Sequence, residues 1–469
     1  MGGVPVGFLE AVRDVLGPAG VVEDPAEISA YTTSFWRDRT GRAPLVLRPA
    51  ATAEVQAIVR AAIRHKVPLV PQGGNTGLVG GGIPDQSGRM VVVSTARLDR
   101  IRSIDPHGDH LVAEAGCVLA EVQAMAAASG RLFPLSLGAE GSCRIGGNIS
   151  TNAGGVNVLR WGMARDLVLG LEVVLGDGTL WSGLRALRKD NRGYDLKQLF
   201  IGAEGTLGII TAATLKLVRP PAQRVTAWLG LYSIEAAVEL HRHSRDRLGE
   251  LATSFEAIAG EGVHIAQDQL DGVGAPLAGR HGWYVLVEFG WGLKTGLDAV
   301  VLDWLQEAMD LGMVEDGTIA QSEAQRAVMW RIREGQSEAA SKLGAVWRSD
   351  VAVPVERIGE LVDRAELALR PIVPDAVMVP FGHLGDGNLH VNLLLPGAER
   401  WDPELAGACQ TALFDVVDRM GGSFSAEHGI GRSKREELLA RKDPAEIGLM
   451  RKLKAALDPH GILNPGAVL

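Results

Sequence analysis

Apolar residues recur at helical spacing over 7–16 (GFLEAVRDVL) and 53–66 (AEVQAIVRAAIRHK), which predicts two amphipathic helices. Short apolar runs at 44–49 (PLVLRP), 67–71 (VPLVP), 90–95 (MVVVST) and 111–116 (LVAEAG) have the length and composition of strands. VLAEVQAMAAASG (118–130) reads as a helix closed by a glycine. VLGLEVVLGDGTLW (168–181) predicts a hairpin turning on Asp177-Gly178, and TLGIITAATLKLV (206–218) predicts paired strands. Pro220-Pro221 marks a boundary. Beyond it, helical periodicity over 233–247, 297–311, 320–343 and 355–369 surrounds a strand at 283–290 (WYVLVEFG), an α+β pattern. This divides the chain into a first domain (1–220), a second (221–420) and a C-terminal segment (421–469).

Composition changes the picture in one respect. Glycine accounts for 59 of the 469 residues, well above the ~7% average. The excess concentrates in three loops, PQGGNTGLVGGG (71–82), the Gly/Ser/Asn-rich stretch 136–157, and IGAEGTLGII (201–210). Loops without Cβ atoms let successive backbone N–H groups converge on an anion such as a pyrophosphate. One such loop is as well explained by a tight turn. Three loops, each beside a strand, point to one long ligand crossing all of them, and a dinucleotide has that length. The first is neither G-x-G-x-x-G nor a P-loop. Net charge is −9 and no basic run stands out, which argues against nucleic acid. The three cysteines lack a C-x-x-C pair, so no disulfide framework is expected. Without a leader pattern or a long uncharged apolar stretch, the chain reads as soluble and cytoplasmic.

A second chemical signal lies in FGHLGDGNLHVNL (381–393). His383 and His390 bracket a D-G-N turn, in which Asp386 is expected to shape the turn, a further metal ligand being the alternative. A strand over 389–394 would send His390 and Asn392 to one face. Two histidines with a carboxylate make a common site for zinc or a similar divalent ion. Glu427, in SAEHGIG (425–431), is the candidate carboxylate. Structural roles at a turn are the alternative for both histidines.

PQGGNTGLVGG (71–81), GSCRIGGNISTNAGG (141–155), KDNRGYDLKQLFIGAEGTLGIIT (189–211) and the C-terminal motifs together resemble the FAD-dependent D-2-hydroxyglutarate and D-lactate dehydrogenases of the vanillyl-alcohol oxidase superfamily. The resemblance spans about 25–469. It implies an α+β fold: a vanillyl-alcohol-oxidase-type FAD-binding domain, an α+β cap domain for substrate, and a C-terminal segment returning to the FAD domain. It implies that Pro71, Gly73, Gly74, Asn75, Thr76, Gly77 and Leu78 wrap the FAD pyrophosphate. Leu135, Gly138, Gly141, Ser142, Gly146, Gly147, Ser150, Asn152, Gly154 and Gly155, with Glu204, Gly205, Gly208, Ile209 and Ile210, would line the adenine and isoalloxazine portions. Asn464 of the closing ILNPG would join them. With no histidine in the first loop, the flavin is expected to be noncovalent.

The same resemblance makes His383, His390 and Glu427 ligands of a divalent metal, zinc being the expected ion. It makes His428 the base that takes the substrate hydroxyl proton while the Cα hydride passes to flavin N5; a partner orienting Glu427 is the alternative for His428. In WRIREGQSE (330–338), Arg333 would clamp the substrate carboxylate, Ser337 would replace the usual threonine, and Asn392 would contact substrate. Arg348 stands where D-2-hydroxyglutarate enzymes carry lysine, and Arg192 where relatives carry a small residue. The implied reaction is oxidation of a D-2-hydroxy acid to the 2-oxo acid, D-2-hydroxyglutarate first, with D-lactate, D-malate and glycolate as alternatives. Electron-transfer flavoprotein, a quinone or a cytochrome would accept the electrons, and a homodimer is compatible with the reading. Taken without the glycine loops, the histidines and glutamate would also permit a flavin-free zinc hydrolase.

Overall fold

The computed structural model describes residues 3–469. They form two compact units: one of the residues through Gly154, Gly162–Arg219 and Glu427–Leu469, the other of Gly155–Trp161 and Pro220–Ala426.

The first unit begins with parallel pairing. Strand Val91–Ser94 lies between Val46–Leu47 and Leu69–Gln72, parallel to both, and Val21–Val22 closes the sheet antiparallel at the far edge. Parallel neighbours need a crossover, and helix Thr52–His65 supplies one. Its buried stripe, Val55, Ile58, Val59 and Ala62, packs with Phe8 and Val12 of helix Val6–Leu16 on Leu47, Leu69, Val91 and Val93. Ile462 and Leu463 of the C-terminal segment enter this core. The second sheet of the unit is antiparallel, in the order Ile101–Asp105, His110–Glu114, Gly208–Lys216, Val168–Leu175, Leu180–Ser182. Its last hairpin turns on Asp177-Gly178, where Asp177 Oδ1 accepts the Thr179 N–H at 2.8 Å. Residues 206–218 supply a single strand, paired on both sides, where the sequence pattern implied two.

In the second unit an antiparallel sheet runs Asp316–Ile319, Gln223–Leu231, Trp283–Trp291, Ala252–Ala259, Phe381–His383. Alternation along Gln223–Leu231 divides its side chains between two cores. Val225, Ala227, Leu229 and Leu231 face helices Ile234–Leu248 and Leu297–Asp310, while Trp228 packs with Tyr284, Leu286 and Ile332. Small sheets Gly344–Trp347/Leu393–Pro396/Val377–Met378 and Val351–Ala352/Asn388–Leu389 carry the histidine segment. Among the described residues, no helix is long and apolar enough to cross a membrane.

The continuous helix implied over 320–343 divides into Glu323–Glu334 and Gln336–Leu343 at Gly335. A Cβ there would lie 2.4 Å from Leu270 Cδ1, so the tight packing that selects glycine also places the poorest ordinary helix former at the joint. The strand implied over 389–394 is interrupted: Asn388–Leu389 and Leu393–Pro396 are strands, and the Asn392 N–H donates to the His390 carbonyl between them at 3.0 Å. The period-two argument for His390 and Asn392 therefore does not apply. The glycine-rich stretch 136–157 contains a helix, Ile145–Ser150.

Candidate active site

The first unit holds a cavity walled by the three glycine-rich segments. Pro71, Gly73, Gly74, Asn75, Thr76, Gly77, Gly146, Gly147, Ser150, Glu204, Gly205, Gly208, Ile209 and Ile210 line it. Its shape depends on absent side chains. A Cβ on Gly74 would meet the Ser142 carbonyl oxygen at 2.2 Å, and one on Gly73 would meet Gly147 at 3.3 Å. The two loops thus touch backbone to backbone at Gly73 and Gly74, a close approach that only residues without Cβ allow beside the cavity. Asn75 has φ 57°, and its amide donates to the carbonyls of Thr33 (2.8 Å) and Ala30 (3.2 Å). It therefore fixes the loop instead of offering that amide to a ligand.

Glu204 stands at the third wall, buried and left-handed at φ 50°. Its two oxygens accept the N–H groups of Ile430 and Gly431, each at 2.8 Å. Burial pushes its carboxyl up to about 7, against the pull of those two hydrogen bonds. Asn464 braces this wall from outside the cavity. Its amide donates to the carbonyls of Gly81 and Glu204, both at 2.9 Å, and its Oδ1 accepts from Arg432.

Leu78, Leu135, Gly138, Gly141, Ser142, Asn152, Gly154, Gly155 and Asn464 do not line the cavity. Leu135 is buried with its carbonyl held by Gln123. Gly138, Gly141 and Ser142 are exposed, and Asn152 Oδ1 accepts the Arg165 N–H. Gly155 belongs to the other unit. Arg144, Asn148 and Thr95 line the cavity without having been singled out. Arg144 follows Cys143 in the GSCRIGG motif, and a cation next to Gly-Gly was the available signal. Asn148 Oδ1 is buried without a hydrogen-bond partner, so the wall carries an acceptor that a ligand donor would satisfy.

The second unit gathers the polar residues of the histidine motif. Helix Glu323–Glu334 opens on Ser322, whose hydroxyl caps the Gln325 N–H. It turns Arg333 inward, 6% exposed, while Arg331 points outward and pairs with Glu338 at 2.8 Å. Arg333 Nε donates to Glu256 Oε2 at 2.7 Å, and its guanidinium lies 4.9 Å from the centre of the Phe381 ring. Glu256 Oε1 lies 2.8 Å from His383 Nδ1. A carboxylate only accepts, so Nδ1 carries the proton and Nε2 is the lone-pair nitrogen. His390 Nδ1 lies 3.1 Å from the Ser349 carbonyl, which assigns the same tautomer by the same argument. Burial pushes the Glu256 carboxyl up, and Arg333 and His383 more than reverse it, holding it below the usual carboxylate range.

A ligand-type atom of His390 lies within 4.8 Å of one on His383 and of one on Asp350. Two imidazoles whose Nδ1 atoms are engaged and whose ligand-type atoms lie within 4.8 Å of each other are a nitrogen pair that a borderline divalent ion such as zinc accepts. Asp350 was not singled out from sequence; it follows Arg348 by two positions in a segment with no metal-binding spacing. Asn392 Oδ1 accepts the Ser349 N–H at 3.1 Å, and Arg348 donates to Ser341 Oγ at 2.7 Å. Ser337 is half-buried in the first turn of helix Gln336–Leu343. Asp386 accepts the Asn388 N–H at 3.2 Å and forms the expected turn. Arg192, exposed, pairs with Asp190 at 2.6 Å. Glu427 and His428 open the C-terminal segment of the first unit.

An α+β fold with an FAD-type cavity and an inward arginine beside paired histidines defines a class, that of flavin-linked oxidoreductases. Residues 43–183 match the FAD binding domain model, and 220–468 match that of the FAD linked oxidases, C-terminal domain. p-Cresol methylhydroxylase shares the fold at a TM-score of 0.76 and 16% identity, covering 99% of this chain and 98% of its own. The mitochondrial D-2-hydroxyglutarate dehydrogenase of Bos taurus is 41% identical over 455 residues, 96% of this chain and 81% of the relative. The D-2-hydroxyglutarate dehydrogenase of Xanthomonas citri is 38% identical, across 94% of this chain and 93% of the relative. The chain belongs to the FAD-dependent D-2-hydroxyglutarate and D-lactate dehydrogenase family of the FAD-linked oxidases.

Proposed function

We propose that this protein oxidises D-2-hydroxyglutarate to 2-oxoglutarate, with a divalent ion, zinc, beside the substrate hydroxyl. The observation that carries the reading is the buried Arg333, whose Nη2 lies 3.5 Å from Nε2 of His383. A guanidinium for a carboxylate and an imidazole lone pair for a metal then stand next to each other, as a 2-hydroxy acid needs. When bound, FAD supplies the two-electron acceptor, taking the Cα hydride at N5. When bound, the metal supplies a Lewis acid that makes the hydroxyl easier to deprotonate.

His383, His390 and Glu427 hold the ion in this reading, and His428 takes the hydroxyl proton. Arg333 binds the carboxylate next to the hydroxyl, with Ser337 and Asn392 touching the substrate. Arg348 supplies the cation for a distal carboxylate. The substrate loses one proton from oxygen and one hydride from Cα, which leaves the 2-oxo acid. The names of the relatives support the choice of acid.

The test is turnover with a dye acceptor after exhaustive chelation, then with zinc restored. Activity with D-2-hydroxyglutarate should fall at least about 100-fold on chelation, with flavin content unchanged, and return with zinc. Full activity in the chelated protein would remove the metal from the mechanism.

A further inference from the structure

Glu256 has no part in the chemistry above, yet it is 1% exposed and joins three elements of the centre. It sits on strand Ala252–Ala259, directly opposite His383 of the antiparallel strand Phe381–His383. One oxygen takes His383 Nδ1–H at 2.8 Å and the other takes Arg333 Nε–H at 2.7 Å. Each contact fixes more than a distance. The first makes Nε2 the donor nitrogen of His383. The second uses the Nε side of the guanidinium and sets Nη2 3.5 Å from His383 Nε2, so a carboxylate gripped by Nη1 and Nη2 would lie beside that imidazole nitrogen. The Phe381 ring centre lies 4.9 Å from the guanidinium carbon, a cation–π contact that further anchors the Arg333 head.

We propose that Glu256 is a positioning residue that sets the spacing between the metal-binding nitrogen of His383 and the carboxylate-binding edge of Arg333. In a 2-hydroxy acid the hydroxyl and carboxylate sit on adjacent carbons, so the two handles have one separation. A single carboxylate bridging both side chains ties their separation to one rigid group. The inference rests on the metal and carboxylate roles given to His383 and Arg333 above.

The experiment measures zinc affinity, by competition with a chromophoric chelator, together with KM and kcat for D-2-hydroxyglutarate, on flavin-loaded wild type, Glu256→Gln and Glu256→Asp. In Glu256→Gln the amide nitrogen either donates to Nδ1, moving the imidazole proton to Nε2, or opposes the Arg333 donor. Zinc affinity should fall about 10- to 100-fold, and KM should rise by a similar factor with flavin content unchanged. Glu256→Asp keeps the charge if the amide variant fails to fold, but its shorter reach serves one partner only. Zinc affinity or KM should then worsen at least several-fold. If wild type binds zinc and the folded variants match it in both affinity and KM, losing only thermal stability, Glu256 is a packing ion pair and the proposal is wrong. If wild type itself binds no zinc, the metal role of His383 fails first and takes the proposal with it.

Discussion

Single side chains at this centre do their work through which of their atoms are already engaged. Arg333 is the clearest case: Nε is held by Glu256, Nη2 lies 3.5 Å from His383 Nε2, and the proposed function gives the guanidinium to the substrate carboxylate. Arg333→Lys keeps the charge and removes the fork. It should lower kcat/KM for D-2-hydroxyglutarate by about 100-fold, since hydrogen bonds to charged groups contribute ~1.5–3 kcal/mol; an unchanged kcat/KM would refute the clamp. Glu204 gives a prediction in pH. Its carboxyl is raised to about 7 from an ordinary 4.5, so the folded state holds the proton more tightly than the unfolded chain. That stabilisation is complete below the unfolded value and is lost as pH rises through the folded one. The melting temperature of flavin-free wild type, relative to Glu204→Gln, should therefore decline from about pH 5 to about pH 7.5. A difference independent of pH would contradict the assignment. Histidines and glycine clusters stand out by type, so His383 and the cavity-lining Gly73, Gly74, Gly146, Gly147, Gly205 and Gly208 could be singled out in sequence, whereas Arg333 was singled out only through the family resemblance. Glu256 was not: it lies in an apolar strand 77 residues from Arg333 and 127 from His383, and only the pairing of strands brings it opposite the histidine.

Elements were legible where one periodicity ran unbroken, as in helix Thr52–His65 and strand Trp283–Trp291. They were misread where a local contact overrode the period. Gly335 divides a helix whose apolar pattern continues across it, and the Asn392-to-His390 turn interrupts a strand that alternates correctly in sequence. In neither place does the pattern itself record the neighbour responsible. The first loop of the cavity makes the same point in reverse, because Gly73 and Gly74 are required by the backbone of the loop at 142–147. Gly74→Ala should weaken flavin binding roughly 10- to 100-fold, as its Cβ would force apart 74 and the Ser142 carbonyl 2.2 Å away. Flavin recovered with the purified variant measures this directly, and wild-type occupancy would show that the two loops have slack.

The chain as a whole is interleaved. The first unit is completed only by Glu427–Leu469, where Lys454 ties the carbonyls of Thr206 and Leu463 at 2.7 and 2.6 Å. Asn464 braces the cavity wall from the same segment. Proline 220 and the change of texture after it were visible in sequence, whereas the seven residues Gly155–Trp161 that join the second unit were not. Their assignment depends on packing such as Leu159 against the core of the second unit. The proposed reaction moves a hydride from a D-2-hydroxy dicarboxylate to FAD. The most direct test is anaerobic mixing of the flavin-loaded protein with D-2-hydroxyglutarate, L-2-hydroxyglutarate and D-lactate, followed by the flavin absorbance. D-2-hydroxyglutarate should bleach it rapidly, D-lactate, which lacks the distal carboxylate proposed to meet Arg348, more slowly, and the L-enantiomer not at all. A flavin that stays oxidised with D-2-hydroxyglutarate would contradict the proposed reaction.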